Sequence, residues 1–141
     1  MKTINEMKCT FPSLSVNEAY ARTAVTAFAA QLDLTIEEIA DIRTAVSEAV
    51  TNAIVHGYRD QEGMVSLCAE YGERRLLTVS VHDDGCGIEE DKLKTLFSGC
   101  YEGRQDMAHG TRRYAGIGLS VCYTIVKAHG GTITAENRKN G

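Results

Sequence analysis

The stretch Ser47-Glu48-Ala49-Val50-Thr51-Asn52-Ala53-Ile54-Val55-His56-Gly57 decides how this chain is read. Upstream of it, Thr35-Ile36-Glu37-Glu38 has capping-box spacing, with Thr35 and Glu38 placed to satisfy each other's backbone N–H groups. From there Ile39, Ile42, Ala45, Val46, Ala49, Val50, Ala53 and Ile54 recur at helical spacing and make a broad apolar face. Gly57 ends the run as a left-handed residue beyond the helix. Glu48 and Asn52 are four residues apart, so they lie one above the other on one flank. A carboxylate one turn from an amide oxygen suits a hard cation beside a nucleophile. Asn52 offers Mg²⁺ a neutral oxygen, and Glu48 accepts a proton from a hydroxyl or water. His56 lies one turn further on. The competing reading is a polar flank that faces water.

Towards the N-terminus, residues 6–11 read as a strand and a helix opens at Ser15. Ser15-Val16-Asn17-Glu18 is a second capping-box pattern. Val16, Ala19, Tyr20, Thr23, Ala24, Ala27 and Phe28 follow at helical spacing, and the pattern fades near Leu32 and Asp33. Towards the C-terminus, residues 64–71 and 76–82 read as strands joined by a turn at 72–75, with Leu77, Val79 and Val81 on one face. Asp83-Asp84-Gly85-Cys86-Gly87 comes next. Its glycines let backbone approach a ligand, and an Asp at a strand end can accept a bond from an exocyclic amine. An ordinary strand-to-helix turn has the same composition.

Residues 89–97 read as a short helix, 98–115 as a mobile loop and 117–128 as a helix. Tyr114-Ala115-Gly116-Ile117-Gly118-Leu119 leads into that last helix. A Gly-x-Gly at a helix N-terminus presents unpaired N–H groups and the positive end of the dipole, which is an anion site. The dinucleotide fingerprint lacks its third glycine here, and the P-loop pattern is absent. Arg104, Arg112 and Arg113 precede the site and can reach a γ-phosphate or a partner's carboxylates; plain solvated charge is the alternative. Gly130-Gly131 breaks the helix, and residues 132–137 read as a β-branched strand.

The 141 residues fit one domain, with 43% hydrophobic and 24% charged residues. A net charge of -4 argues against direct nucleic-acid binding, which needs a basic face. Five cysteines, at 9, 68, 86, 100 and 122, form no Cys-x-x-Cys pair, so neither a disulfide framework nor a zinc site is indicated. Reduced thiols in cytoplasm are expected. The first ten residues are polar, so no signal peptide is expected, and no apolar run is long enough for a bilayer.

Glu48 with Asn52, then Asp83-x-Gly85-x-Gly87, then Gly116-Ile117-Gly118-Leu119, in this order, resemble the ATP-binding superfamily shared by gyrase, heat-shock-90 chaperones, histidine kinases and mismatch-repair proteins. The resemblance implies an α+β fold, a two-layer α/β sandwich whose mixed sheet is covered by helices on one face. Within the superfamily, residues 47–58 and 13–32 are similar to the anti-sigma-factor serine kinases of spore-forming and related bacteria. That resemblance implies ATP and Mg²⁺ as cofactors, Glu48 as general base and Asn52 as the Mg²⁺ ligand. Asp83 would bind the adenine amine, with Gly85, Gly87 and Ile88 shaping its pocket. His56, Arg113, Gly116, Ile117, Gly118 and Leu119 would complete the nucleotide site, beneath a lid over 98–115. The implied partners are a sigma factor and an anti-anti-sigma protein phosphorylated on serine or threonine, with the kinase a homodimer.

Residues 116–137 look more like the catalytic domain of sensor histidine kinases, and Tyr114 stands where the anti-sigma family usually has Arg. A histidine-kinase-type ATP-binding domain and a sequestering module without turnover therefore stand as alternatives. Asn140-Gly141 is a hairpin-turn pair, so a returning strand is expected to be missing and the strand near Ile133 to have an open edge.

Overall fold

The computed structural model describes residues 2–57, 62–74, 76–85, 87–91 and 111–137, with backbone alone at 56–57 and 111–118. Strand β1 (Thr3–Pro12) leads into helix α1 (Asn17–Ala29), which closes in a 3₁₀ turn (Ala30–Leu32). Asp33, at φ 54, turns the chain into α2 (Ile36–Asn52), which continues as a π-helical turn (Ala53–Gly57). Strands β2 (Met64–Gly72) and β3 (Leu77–Asp83) and helix α3 (Thr111–Ala128) follow. No described helix is long and apolar enough to cross a membrane.

The two-layer α+β architecture matches the expectation. The sheet, ordered β1-β2-β3, is antiparallel among the described residues, where a mixed one was expected. The reason lies in the connections. Two consecutive helices return the chain to the end of the sheet where β1 finished, so β2 runs back against β1; a hairpin then reverses β3. Pro12 pairs with Met64, and Val65 with Asp83, so these residues mark one end of the sheet.

One sheet face carries the core. Phe11, Val65 and Leu67 pack with Ala21 and Val25 of α1 and with Val46, Val50, Ala53 and Ile54 from α2 and its extension. Val25, Val50, Val65 and Leu67 are fully buried, and each such side chain contributes about 1.5–3 kcal/mol. Ile39, Ile42, Ala45 and Ala49 are only half-buried, on the flanks of this contact. Gln31 Oε1 ties the end of α1 to the sheet, accepting from Asn5 Nδ2 and the Tyr71 hydroxyl, both at 2.8 Å.

The buried stripe of α1 differs from the expected one. It is Ala21, Val25, Phe28 and Ala29, whereas Val16 is 76% and Tyr20 53% exposed, and Ala19, Thr23 and Ala27 are exposed too. An alanine-rich helix offers two stripes of nearly equal apolarity, and packing against β1 and α2 selects between them. The expected capping box at Ser15 is also absent: Val16 is the cap residue and no side chain caps the helix. The Glu18 N–H instead bonds the Ser15 backbone carbonyl at 3.2 Å. Glu18 turns its carboxylate to Arg22, 3.6 Å away on the next turn. The box at Thr35 forms as expected: Thr35 N–H donates to Glu38 at 2.8 Å and Glu38 N–H to Thr35 Oγ1 at 3.1 Å.

Two C-terminal expectations are corrected. Helix α3 starts at Thr111, not at 117, because Arg112, Arg113 and Ala115 favour helix and extend it backwards. It ends in a Schellman motif: Gly131 N–H bonds the Val126 carbonyl at 2.9 Å and Gly130 N–H that of Lys127 at 3.0 Å, with Gly130 at φ 72. Residues 132–137 form no strand, so the open edge expected near Ile133 is not there. β-branched residues make a strand only where a neighbour completes the ladder, and this segment has none among the described residues. Most of the helix expected over 89–97, and residues 98–110 of the expected loop, lie outside the described residues.

Thr35→Ala is expected to destabilise the fold by about 1 kcal/mol in urea unfolding, through loss of the cap. Ser15→Ala, removing a side chain that caps nothing, should stay within about 0.5 kcal/mol.

Candidate functional site

Helix α2 brings Glu48 and Asn52 into its last two turns, both half-buried beside the fully buried Val50. Two neighbouring elements close around Glu48. From α1 comes Glu18, whose carboxylate raises the proton affinity of Glu48; burial of Glu48 contributes the larger effect. From α3 comes Cys122, buried against α2 with its thiol donating to the Ala45 carbonyl at 3.2 Å. That thiol is pushed up to about 11, by burial first and by the charge of Glu48 second. Glu48 therefore sits partly desolvated and within electrostatic reach of a like charge. A carboxylate so placed holds a proton more readily than one in water, which is what a general base for a hydroxyl needs.

Glu18 was assigned only a capping role by sequence reasoning, and its place beside Glu48 was missed. Its i, i+4 spacing marks the pairing with Arg22, but no local pattern marks its approach to Glu48. Glu18 Oε2 and Arg22 Nε are both buried and lack a hydrogen-bond partner among the described residues. They lie 3.6 Å apart, so charge attraction alone joins them.

Asp83, half-buried, closes β3 at the marked end of the sheet. Its Oδ1 accepts from Gly85 N–H at 2.9 Å, an Asx turn that opens the loop after the strand. Gly87 is at φ 76, a conformation that favours glycine. Ile88 is held at both its backbone groups by the Asn137 side chain: its N–H donates to Oδ1 at 2.8 Å, and its carbonyl accepts from Nδ2 at 2.6 Å. Sequence reasoning did not find Asn137, because no motif or periodicity marks it.

The connections carry these groups to one end of the molecule. Asn17, at the start of α1, donates through Nδ2 to the Pro12 carbonyl at 2.9 Å, so Glu18 starts its helix at that end. α2 finishes there, shortly before β2 begins beside Pro12. α3 runs antiparallel to α2, since Cys122 meets Ala45 while His129 Nε2 reaches Asp41 Oδ2 at 3.0 Å. Counting back along α3 at about 1.5 Å per residue brings the backbone of 116–118 level with Ala49–Asn52.

Gly116 and Gly118 nevertheless lie inside α3 and not at its N-terminus, where the anion-site reading requires them. Within a helix their N–H groups point at their own helix's carbonyls. Leu119 is buried in the core, so only its backbone is available to a ligand. His56 is placed by its backbone in the π-helical turn, and Arg113 and Ile117 by theirs in α3; their side chains lie outside the described residues. Among the described residues no three or more His, Cys, Asp or Glu side chains cluster to hold a metal.

The raised Glu48 carboxyl has a stability consequence. Its protonated form is favoured by the fold, so its contribution is complete below the ordinary glutamate value and lost as pH rises through the folded one. At neutral pH the ionised group opposes folding. Glu48→Gln is therefore expected to raise the thermal unfolding midpoint at pH 7. The gain should vanish below about pH 4, where glutamate is protonated in both states.

A family model described as histidine kinase-, DNA gyrase B-, and HSP90-like ATPase matches residues 37–141. The anti-sigma F factor of Clostridium novyi is 46% identical over 123 residues, 86% of this chain and 80% of that protein. That of Thermoanaerobacter sp. is 45% identical over 128 residues, 89% of this chain and 82% of that protein. That of Clostridium acetobutylicum is 39% identical over 135 residues, 96% and 86% of the two chains, so the similarity includes β1 and α1. The chain is thus a member of the anti-sigma F factor family, within the histidine kinase-, DNA gyrase B- and HSP90-like ATPases.

Proposed function

We propose that residues 1–141 form one ATP-binding domain acting as an anti-sigma serine/threonine kinase. It binds a sigma factor and transfers the γ-phosphoryl group of ATP to a hydroxyl of an anti-anti-sigma partner. The observation that carries this reading is the setting of Glu48: half-buried, within electrostatic reach of Glu18, and one turn from Asn52 at the end of the fold where the Asp83 loop also lies. The names of the relatives, all anti-sigma F factors, support the sigma-factor partner. Homodimerisation and a cytoplasmic setting complete the proposal; Cys9, Cys68 and Cys122, free thiols, accord with a reducing compartment.

In this mechanism Glu48 takes the proton of the partner's hydroxyl as its oxygen attacks the γ-phosphorus. The bond from that phosphorus to the β,γ-bridging oxygen breaks, and ADP leaves. The work is positioning and charge neutralisation. Asp83 accepts a hydrogen bond from the adenine amine. Gly116 and Gly118 offer backbone N–H groups to the phosphates, with Arg113 nearby, which requires the first turns of α3 to unwind to that point. Asn52 would hold Mg²⁺, which supplies neutralisation of phosphate charge when bound. The donor set fits, because the Asn52 amide offers a neutral oxygen one turn from the Glu48 carboxylate, and Mg²⁺ takes about one or two protein oxygens with waters and phosphates as its other ligands.

The test is transfer from γ-labelled ATP with Mg²⁺ to a candidate anti-anti-sigma protein. Acid-stable label is expected on the partner, falling by on the order of 10²–10⁴ in Glu48→Ala while ATP binding persists. Tight binding without label would favour a sequestering role, and acid-labile label would indicate histidine phosphorylation. Asn52→Ala should lose Mg²⁺-dependent ATP binding and keep the fold. Unchanged Mg²⁺ dependence would refute its assignment.

A further inference from the structure

The Asn137 side chain meets Ile88 as a neighbouring strand would meet it, with one acceptor and one donor aligned on the N–H and carbonyl of a single residue. Nothing in the nucleotide reading accounts for that pair. A second observation shows that the approach is close: a Cβ on Gly87 would lie 3.0 Å from Asn137 Oδ1 and 3.6 Å from its Cγ. Gly87 thus answers two demands, its φ of 76 and the room that Asn137 takes. The loop after β3 is held at its entry by Asp83 on Gly85 and at its exit by Asn137 on Ile88. Residues 132–137 have no ladder to a strand among the described residues, and this amide ties the segment after α3 to the loop.

We propose that Asn137 is a positioning residue for the nucleotide site: it fixes Gly87 and Ile88, and through the short loop sets how Asp83 faces the base. The inference rests on the nucleotide reading above and adds a residue that reading does not contain. It predicts an effect on base recognition and not on overall stability, because the two hydrogen bonds are exposed. Asn137→Ala removes both partners. Asn137→Asp keeps shape and acceptor but loses the donor and sets an oxygen against the Ile88 carbonyl.

The experiment compares ADP and GDP binding by calorimetry in the full chain and both variants. Hydrogen exchange at the Ile88 amide and thermal unfolding without nucleotide are measured alongside. The expected result for Asn137→Ala is faster Ile88 exchange, ADP affinity lower by about tenfold, a narrower ADP-over-GDP preference and a nearly unchanged unfolding midpoint. Asn137→Asp should match it. A variant that keeps the parent's ADP-over-GDP preference overturns the proposal, whatever happens to the amide. A drop in ADP affinity that merely tracks a large fall in unfolding midpoint overturns it too. If the parent chain itself binds no ADP, the nucleotide reading fails and the proposal falls with it; a parent that binds normally beside unaffected variants condemns the clamp alone.

Discussion

Everything in this fold hangs on one helix that is dry on one face and carries Glu48 and Asn52 on the flank beside it. Val46, Val50, Ala53 and Ile54 press α2 and its extension onto Val65 and Leu67 of the sheet. Close packing fixes the rotation of the helix about its axis, because apolar side chains fill their holes in only one register. With that rotation fixed, Glu48 and Asn52 have no freedom in where they point their flank. The candidate base and the candidate cation ligand are positioned by the core beside them.

The same packing sets the electrostatics. α1 lies close enough to bring Glu18 beside Glu48, and α3 brings the Cys122 thiol. Burial first, and the charge of Glu18 second, disfavour the ionised carboxylate of Glu48, and the charge of Glu48 in turn raises the Cys122 thiol. An ordinary surface glutamate would be a weaker base. The arrangement opposes folding at neutral pH, and the buried side chains of α1, α2 and the sheet offset that cost. Arg22 balances Glu18 at 3.6 Å without a hydrogen bond, a looser compensation than a bidentate pair would give.

Topology does the rest. A pair of helices between β1 and β2, followed by a hairpin, places Pro12, Met64 and Asp83 in one row at one end of the sheet. The C-terminal turns of α2 arrive at the same end, and α3 runs back along α2 from it. Residues that are far apart in sequence, such as Glu18, Asn52, Asp83 and Asn137, thereby share one region. The returning segment after α3 closes the arrangement with a side chain acting in place of a strand.

Local patterns determined much of this from the sequence alone. The Thr35–Glu38 box, the apolar period of α2, the hairpin and the Glu48–Asn52 spacing are short-range features, encoded within a few turns or a few strand residues. The order of the three motifs sufficed to indicate the ATPase family, which the comparison with known proteins bears out. What was not legible depended on partners far along the chain. Which stripe of the alanine-rich α1 is buried was decided by β1 and α2. Whether Thr132, Ile133 and Thr134 make a strand was decided by the lack of a neighbour among the described residues. The charge of Glu18 acts on Glu48 across 30 positions, and Asn137 bonds Ile88 across 49. Spacing encodes what lies within a turn of helix or a step of strand; a contact between distant segments exists only once burial of the core has brought them together.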